Sequence, residues 1–339
     1  MSLYINLLND DEILNSYNFA RSADIVFSEI VTKDQYEILK SSNTVIIEET
    51  DNSVFYALKQ LEIKENDIIF TNTYFIELLF SKIKNLKFKN LRIISSQTDH
   101  TINKKLFKKK PFSVSNWYST NVGFKHKSLH PIPLGLANRY ANKNLHKKDY
   151  LLIDQNKNKI NKLFVNFEVN TNYFHRNKIK KSILKHNSNL TYKEKISKEE
   201  YLLNLNDHKY VLCPWGNGLD SHRIWEALYT ESIPLIPFHF SFNSIFQSSN
   251  FLFEDIKKLN LKKLQEDLKS TKLNNDLLNI NYWIEPIKFN KIENENNNNV
   301  VIEISVEKLN YNYFLKKSRE YKFKKLKTLM RKIHNKVFN

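Results

Sequence analysis

Short runs rich in Val and Ile, each followed by a stretch patterned for a helix, recur along this chain in two separate series. That alternation constrains the fold more than any other feature. Residues 23–30 (ADIVFSEI) and 43–49 (NTVIIEE) read as strands. Residues 66–84 (NDIIFTNTYFIELLFSKIK) read as a strand, a polar turn and a helix, and 90–96 (NLRIISS) as a buried strand that runs into the polar QTDHTINKK. A polar, weakly patterned stretch, 139–162, reads as a connection between domains. The alternation then restarts with a strand in KLFVNFE and helices in 172–185 and 197–208, the latter opened by Ser197 with Glu200 three residues on. A strand in 209–214, a helix in 220–230, a strand in 232–237 and a further strand in 250–255 complete the series. Strands alternating with helices predict parallel sheets covered by helices, here two doubly wound α/β units. The expected domains are 1–150 and 151–310, followed by a helix over 311–339. Ligands of such sheets bind beyond the carboxyl ends of the strands, so two units can hold one substrate on each side of a cleft.

A length of 339 residues suits two domains of this kind. No apolar run approaches the roughly 18 residues that a membrane-spanning helix needs. The opening MSLYINLLNDDEILNSYNFARS lacks a basic segment followed by a long apolar one, so the cytoplasm is the expected compartment. Cys213 is the only cysteine, which excludes an internal disulfide and a multi-cysteine metal site. The net charge of +17 comes from 46 Lys against 7 Arg. It reads either as a solvated lysine-rich surface or as one that meets anionic ligands or anionic lipid. The lysines are spread along the chain and no nucleic-acid module is present, so nucleic acid is not an expected partner.

Against that background the rare residues are informative. The chain has four glycines, and two of them, Gly216 and Gly218, fall in CPWGNGLDSHRIWEALYTESIPLI (213–236). Gly123 and Gly135 flank another segment, GFKHKSLHPIPLG. Where lysine is so common, an arginine marks a need for its planar fork, and Arg139, Arg176 and Arg223 lie in or beside these motifs. A strand, a glycine loop and a helix in succession can bring backbone N–H groups and the positive end of a helix against a phosphate. Asp220 or Ser221 can cap that helix, Arg223 falls in its first turn, and Glu226 lies on the same face. An arginine for a diphosphate and a carboxylate for sugar hydroxyls suit a nucleotide or nucleotide-sugar. The same spacing also fits a steric turn with a surface ion pair. Neither a Walker loop nor the G-x-G-x-x-G fingerprint is present.

The 213–236 segment resembles the signature of exostosin-like glycosyltransferases, family 47, especially their small bacterial and viral relatives. SQTDHTI, NWYSTNV, LHPIPLGLANR and LFVNFEVNTNYFHR resemble further parts of the same pattern, so that the likeness spans roughly residues 90–240. The resemblance implies a GT-B fold: two Rossmann-like domains, an interdomain cleft and a nucleotide-sugar donor in the C-terminal domain. It implies that Arg176 and Arg223 contact the diphosphate and Glu226 the ribose, with Asn217, Gly218 and Asp220 lining the donor loop. It also implies inversion at the anomeric carbon. Glu231 stands where relatives carry glycine, and the expectation is that this turn has relaxed.

Inverting transfer needs a general base for the acceptor hydroxyl and positive charge for the departing diphosphate. No Asp-x-Asp occurs, so neither a metal nor another cofactor is expected, and arginines with the helix end would stabilise the leaving group. Asp99, just past a predicted strand end, is the expected base, with His100 as the alternative. Asp99 also fits a helix cap. His222 fits either a packed histidine or a donor contact, and Asn138 and Arg139 either an acceptor site or a strand end. Trp215 and Trp225 read as packing residues. The expected partners are a nucleotide-sugar donor and a glycan or lipid-linked glycan acceptor. In the tail, Phe323, Leu326, Met330, Ile333 and Val337 recur every three or four residues among ten basic residues. This predicts a basic amphipathic helix whose earlier part packs on the N-terminal domain and whose end meets an anionic membrane surface.

Overall fold

The computed structural model describes residues 3–153, 158–186, 192–246, 252–253, 273–289 and 299–338. In chain order the first part holds α1 (Ser16–Arg21), β1 (Ile25–Val31), α2 (Lys33–Leu39), β2 (Thr44–Glu49), β3 (Val54–Leu58), β4 (Gln60–Ile63), β5 (Ile68–Asn72), α3 (Ile76–Ile83), β6 (Leu91–Ser96), α4 (Lys104–Phe107), β7 (Val114–Ser119) and β8 (Leu129–Pro131). The second holds β9 (Ile160–Phe164), α5 (Tyr173–His186), α6 (Lys198–Asp207), β10 (His208–Leu212), α7 (His222–Tyr229), β11 (Ile233–Pro237), α8 (Phe240–Ile245) and β12 (Leu252–Phe253). The chain ends in α9 (Ile280–Phe289), β13 (Val300–Glu303) and α10 (Val306–Phe338). The class is α/β, as the alternation predicts.

A seven-stranded sheet runs β2-β3-β1-β5-β6-β7-β8. Its β1, β5, β6, β7 and β8 pair in parallel. β3, which the sequence reading passes over, pairs antiparallel with both β1 and β2, so the sheet is mixed at one edge. Alternate residues of β5 face opposite sides: Ile68 and Phe70 enter one core and Ile69 the other. Trp117 on β7 fills the second core edge-on to Phe80, 5.0 Å between rings, and its indole N–H donates to Ser95 Oγ at 2.9 Å. Burial of such a ring contributes about 3 kcal/mol, and the hydrogen bond removes the penalty of its polar edge.

The second sheet is a four-stranded parallel array, β12-β11-β10-β9. Its strands follow in chain order, so among the described residues it lacks the reversal of strand order that a doubly wound sheet carries. Ser197 caps α6 as predicted, accepting from the N–H of Glu200 at 3.0 Å.

Two stretches tie the parts of the chain together. Residues 139–153 are not an exposed connection, because Leu145, Tyr150 and Ile153 enter a core shared by both sheets. Residues 277–289 and 299–303 come back to the first part of the chain, where β13 pairs antiparallel with β4 in a separate two-stranded sheet. Arg92, fully buried on β6, donates to the carbonyls of Ile287 and Lys288 and so satisfies the end of α9. Glu231 keeps a left-handed backbone, φ 60°, so the turn before β11 has not relaxed. It carries roughly 1–2 kcal/mol of strain that glycine would avoid. The low-complexity stretch 292–299 lies, apart from its last residue, outside the described residues.

Candidate functional site

The carboxyl ends of the two parallel arrays meet at the loop 214–221. This loop leaves β10 and enters α7, an arrangement the strand, glycine and helix pattern predicts. Gly218 is buried, and a Cβ there would lie 2.7 Å from Oδ1 of Asn121, in the loop after β7. Asn121 has a left-handed backbone, φ 56°. Its amide accepts from the N–H of Asp220 at 3.0 Å and donates to the carbonyl of Thr98 at 3.1 Å. One side chain thus joins the loop after β6, the loop after β7 and the glycine loop. Sequence reading missed it, since nothing distinguishes Asn121 from the chain's many other asparagines.

Gly216 is different. A Cβ there would meet Arg176 Nη2 at 3.5 Å and Thr171 at 3.8 Å, which are ordinary contacts, and its φ is not left-handed. Neither packing nor backbone geometry explains this glycine. Like Gly218 it is buried, with the Arg176 guanidinium as its nearest neighbour. Asn217, between the two glycines, is exposed.

Asp220 is buried, with Oδ1 accepting from Trp225 Nε1 at 3.0 Å and Oδ2 from the N–H of Leu134 at 2.9 Å. Burial pushes its carboxyl up to about 7 against the opposite pull of those N–H groups. Nδ1 of His222 donates to the carbonyl of Gly135 at 2.8 Å. Asp220 and His222 therefore latch the two parts of the molecule together. Ser221 occupies the N-cap of α7 without a side-chain cap bond, and neither capping expectation holds.

Arg176, 6% exposed at the start of α5, donates to the carbonyls of Trp215 at 2.8 Å, Glu168 at 2.9 Å and Pro214 at 3.3 Å. It shapes the glycine loop with three of its five N–H groups. Arg223 donates to the carbonyl of Asn166 and lies 5.3 Å from the centre of the Tyr201 ring. Burial, then the charge of Arg223, holds Arg176 down to about 10. Neither arginine forms an ion pair with a carboxylate among the described residues. Glu226, the partner suggested by spacing, is buried and accepts from Tyr201 OH at 2.8 Å. Glu168 opposes the charge of Arg176 only through space, and two neighbouring guanidinium groups with no ion pair among the described residues form a site that favours an anion.

Polar atoms around the loop point the same way. His175 stacks on Trp215, ring centres 4.7 Å apart, and burial followed by Arg176 pushes its pKa down to about 4. His175 Nε2, Trp215 Nε1 and Ser221 Oγ are buried with no hydrogen-bond partner among the described residues. Such atoms call for a ligand or water. The sequence reading gave His175 no role and Trp215 only packing.

On the other side, Asp99 is exposed in the loop after β6. It does not cap the following helix. Asn103 does, accepting from the N–H of Leu106 at 2.9 Å. Gln97, φ 67°, clamps the base of this loop to both backbone groups of Ile30, at 2.8 and 3.0 Å. His100 sits edge-on to Tyr74 and 3.3 Å from Glu320 of α10, and burial lowers its pKa. Asn138 is buried and its amide holds the start of α1, through Ser16 Oγ and the N–H of Tyr17 at 3.1 and 3.2 Å. Arg139 is exposed and pairs with Asp34 at 3.2 Å.

No protein-family model matches the chain, and no curated protein matches it.

Proposed function

We propose that this protein is a GT-B glycosyltransferase that moves a sugar from a nucleoside-diphosphate sugar to a glycan acceptor. The observation that carries the reading is the pair Arg176 and Arg223. These two guanidinium groups form no ion pair with a carboxylate among the described residues, lie beyond the carboxyl ends of β9 and β10, and stand beside a glycine that packing does not require. The resemblance of residues 213–236 to the exostosin-like signature supports the same ligand. The acceptor oxygen attacks the anomeric carbon as the bond from that carbon to the diphosphate oxygen breaks. Asp99 takes the acceptor hydroxyl proton, and Arg223 with the free N–H groups of Arg176 stabilises the departing charge. Attack from the face opposite the leaving group inverts the anomeric centre.

A thermal-shift panel of nucleoside diphosphates and nucleotide sugars tests the reading. One nucleobase should raise the melting temperature, with about 2.7 kcal/mol of stabilisation at a hundredfold excess over Kd. The absence of any stabilising member would refute the donor site. Retention of the donor's anomeric configuration in the product would refute inversion.

A further inference from the structure

α10 has two faces with opposite fates. Leu309 is buried; Asn312 donates to the carbonyl of Tyr74 at 3.2 Å. Tyr313 packs on Phe55, 5.3 Å between rings, and Lys316 pairs with Glu77 at 2.9 Å. Glu320 then reaches His100. These positions, i, i+3, i+4, i+7 and i+11 from Leu309, share one helix face and dock the helix on the first part of the chain. Farther along, Arg331 donates to Asn170 at 2.9 Å, beside the start of α5.

Tyr311, Phe314, Ser318, Tyr321 and Lys325 follow the same spacing about half a turn round the helix. Tyr311, Phe314 and Tyr321 are 64%, 67% and 70% exposed, and Leu329, one turn beyond Lys325, is 54% exposed. Every residue from 321 to 330 is exposed. Between 321 and 332 the chain carries six Lys or Arg and no acid. The apolar stripe predicted from sequence is also uncovered where side chains are described, at Phe323, Leu326 and Met330; Ile333 and Val337 lie beyond the last of those.

We infer that the outer face of α10 lies on an anionic membrane surface. The choice of occupant follows from the mixture. A polyanion would need only the cations, and a second copy of this basic helix would be repelled by the same charge. A bilayer interface takes both aromatic side chains at the headgroup level and lysines against its anionic lipids. No described helix is long and apolar enough to cross a membrane, so α10 rests in the plane of the interface. Its docked end touches the loop bearing Asp99 and His100. If the proposed transferase reading holds, the acceptor side then opens toward lipid headgroups, where a lipid-linked glycan would be found.

Co-sedimentation of the full chain with vesicles of phosphatidylcholine, with and without phosphatidylglycerol, tests this. Phosphatidylglycerol should strengthen binding about tenfold or more, and raised salt should weaken it. Lys322→Glu with Lys325→Glu should remove about tenfold or more of that affinity. Tyr311→Ser with Phe314→Ser and Tyr321→Ser should remove a similar share, since a bilayer rewards burial of these rings. All five side chains are solvent-exposed or nearly so, and unchanged thermal melting would verify that the fold survives. Equal binding to both vesicle types would overturn the inference. So would full binding by the serine variant, which marks a merely electrostatic surface, or self-association through α10 without vesicle binding. Nucleotide-induced stabilisation is read separately, so failure of the donor site and failure of the membrane face are distinguishable.

Discussion

A Cβ at position 218 would clash with the Asn121 amide at 2.7 Å, whereas one at 216 would meet nothing closer than 3.5 Å. The two glycines therefore have different reasons to exist, and substitution should separate them. Gly218→Ala should cost about 1–3 kcal/mol in urea unfolding, because Asn121 is already strained and bonded on both sides. Asn121→Ala should relieve part of that cost in the double variant. Gly216→Ala should change stability by less than about 1 kcal/mol, yet weaken nucleotide binding, since the methyl group would lie against the Arg176 guanidinium. Equal loss of stability at both positions would contradict this division. The scarcity of glycine made both positions visible in the sequence. Which one is steric was not visible, because the clash comes from a side chain about a hundred residues away. Asn138 shows the same limit, since its role at the start of α1 depends on a partner 122 residues distant.

At the scale of elements, β5, β6, β9, β10 and β11 were legible as buried apolar runs, and α7 as a helix opening beside Ser221. β3 and β4 were not. β3 is buried on both faces and so shows no alternation, and β4 finds its partner β13 only near the end of the chain. The loop between β10 and α7 was legible as a functional turn, but its use as a latch was not. Asp220 draws its partners from Trp225 on the helix that follows it and from Leu134 on the other side. Its folded pKa of about 7 lies above the ordinary carboxylate value, so the folded chain holds this proton more tightly than the unfolded chain. Stability from this group is fully present below about pH 4 and is lost as pH rises through about 7. Urea midpoints should show the wild type losing about 2 kcal/mol relative to Asp220→Asn between about pH 5 and about pH 8. Parallel pH profiles for the two proteins would show that the carboxyl titrates normally.

Across the whole molecule, the chemistry is divided between surfaces that come from different sheets. Asp99 stands beyond β6 of the first, and Arg176 and Arg223 beyond β9 and β10 of the second, with Asn121 bonded to both loops. Such a division predicts a double dissociation. Asp99→Asn keeps the size of the side chain and removes only the base, so transfer should fall by about a hundredfold or more while nucleotide-induced stabilisation persists. Arg223→Met removes a charge whose one described backbone bond is to Asn166, so it should abolish both readouts while the protein stays folded. Arg176→Met should also lower stability, because three carbonyls of the surrounding loops lose their donor together. Undiminished turnover by Asp99→Asn would move the base to His100 or elsewhere. Undiminished nucleotide binding by Arg223→Met would remove the diphosphate from this end of the second sheet, and with it the reason for placing the donor there.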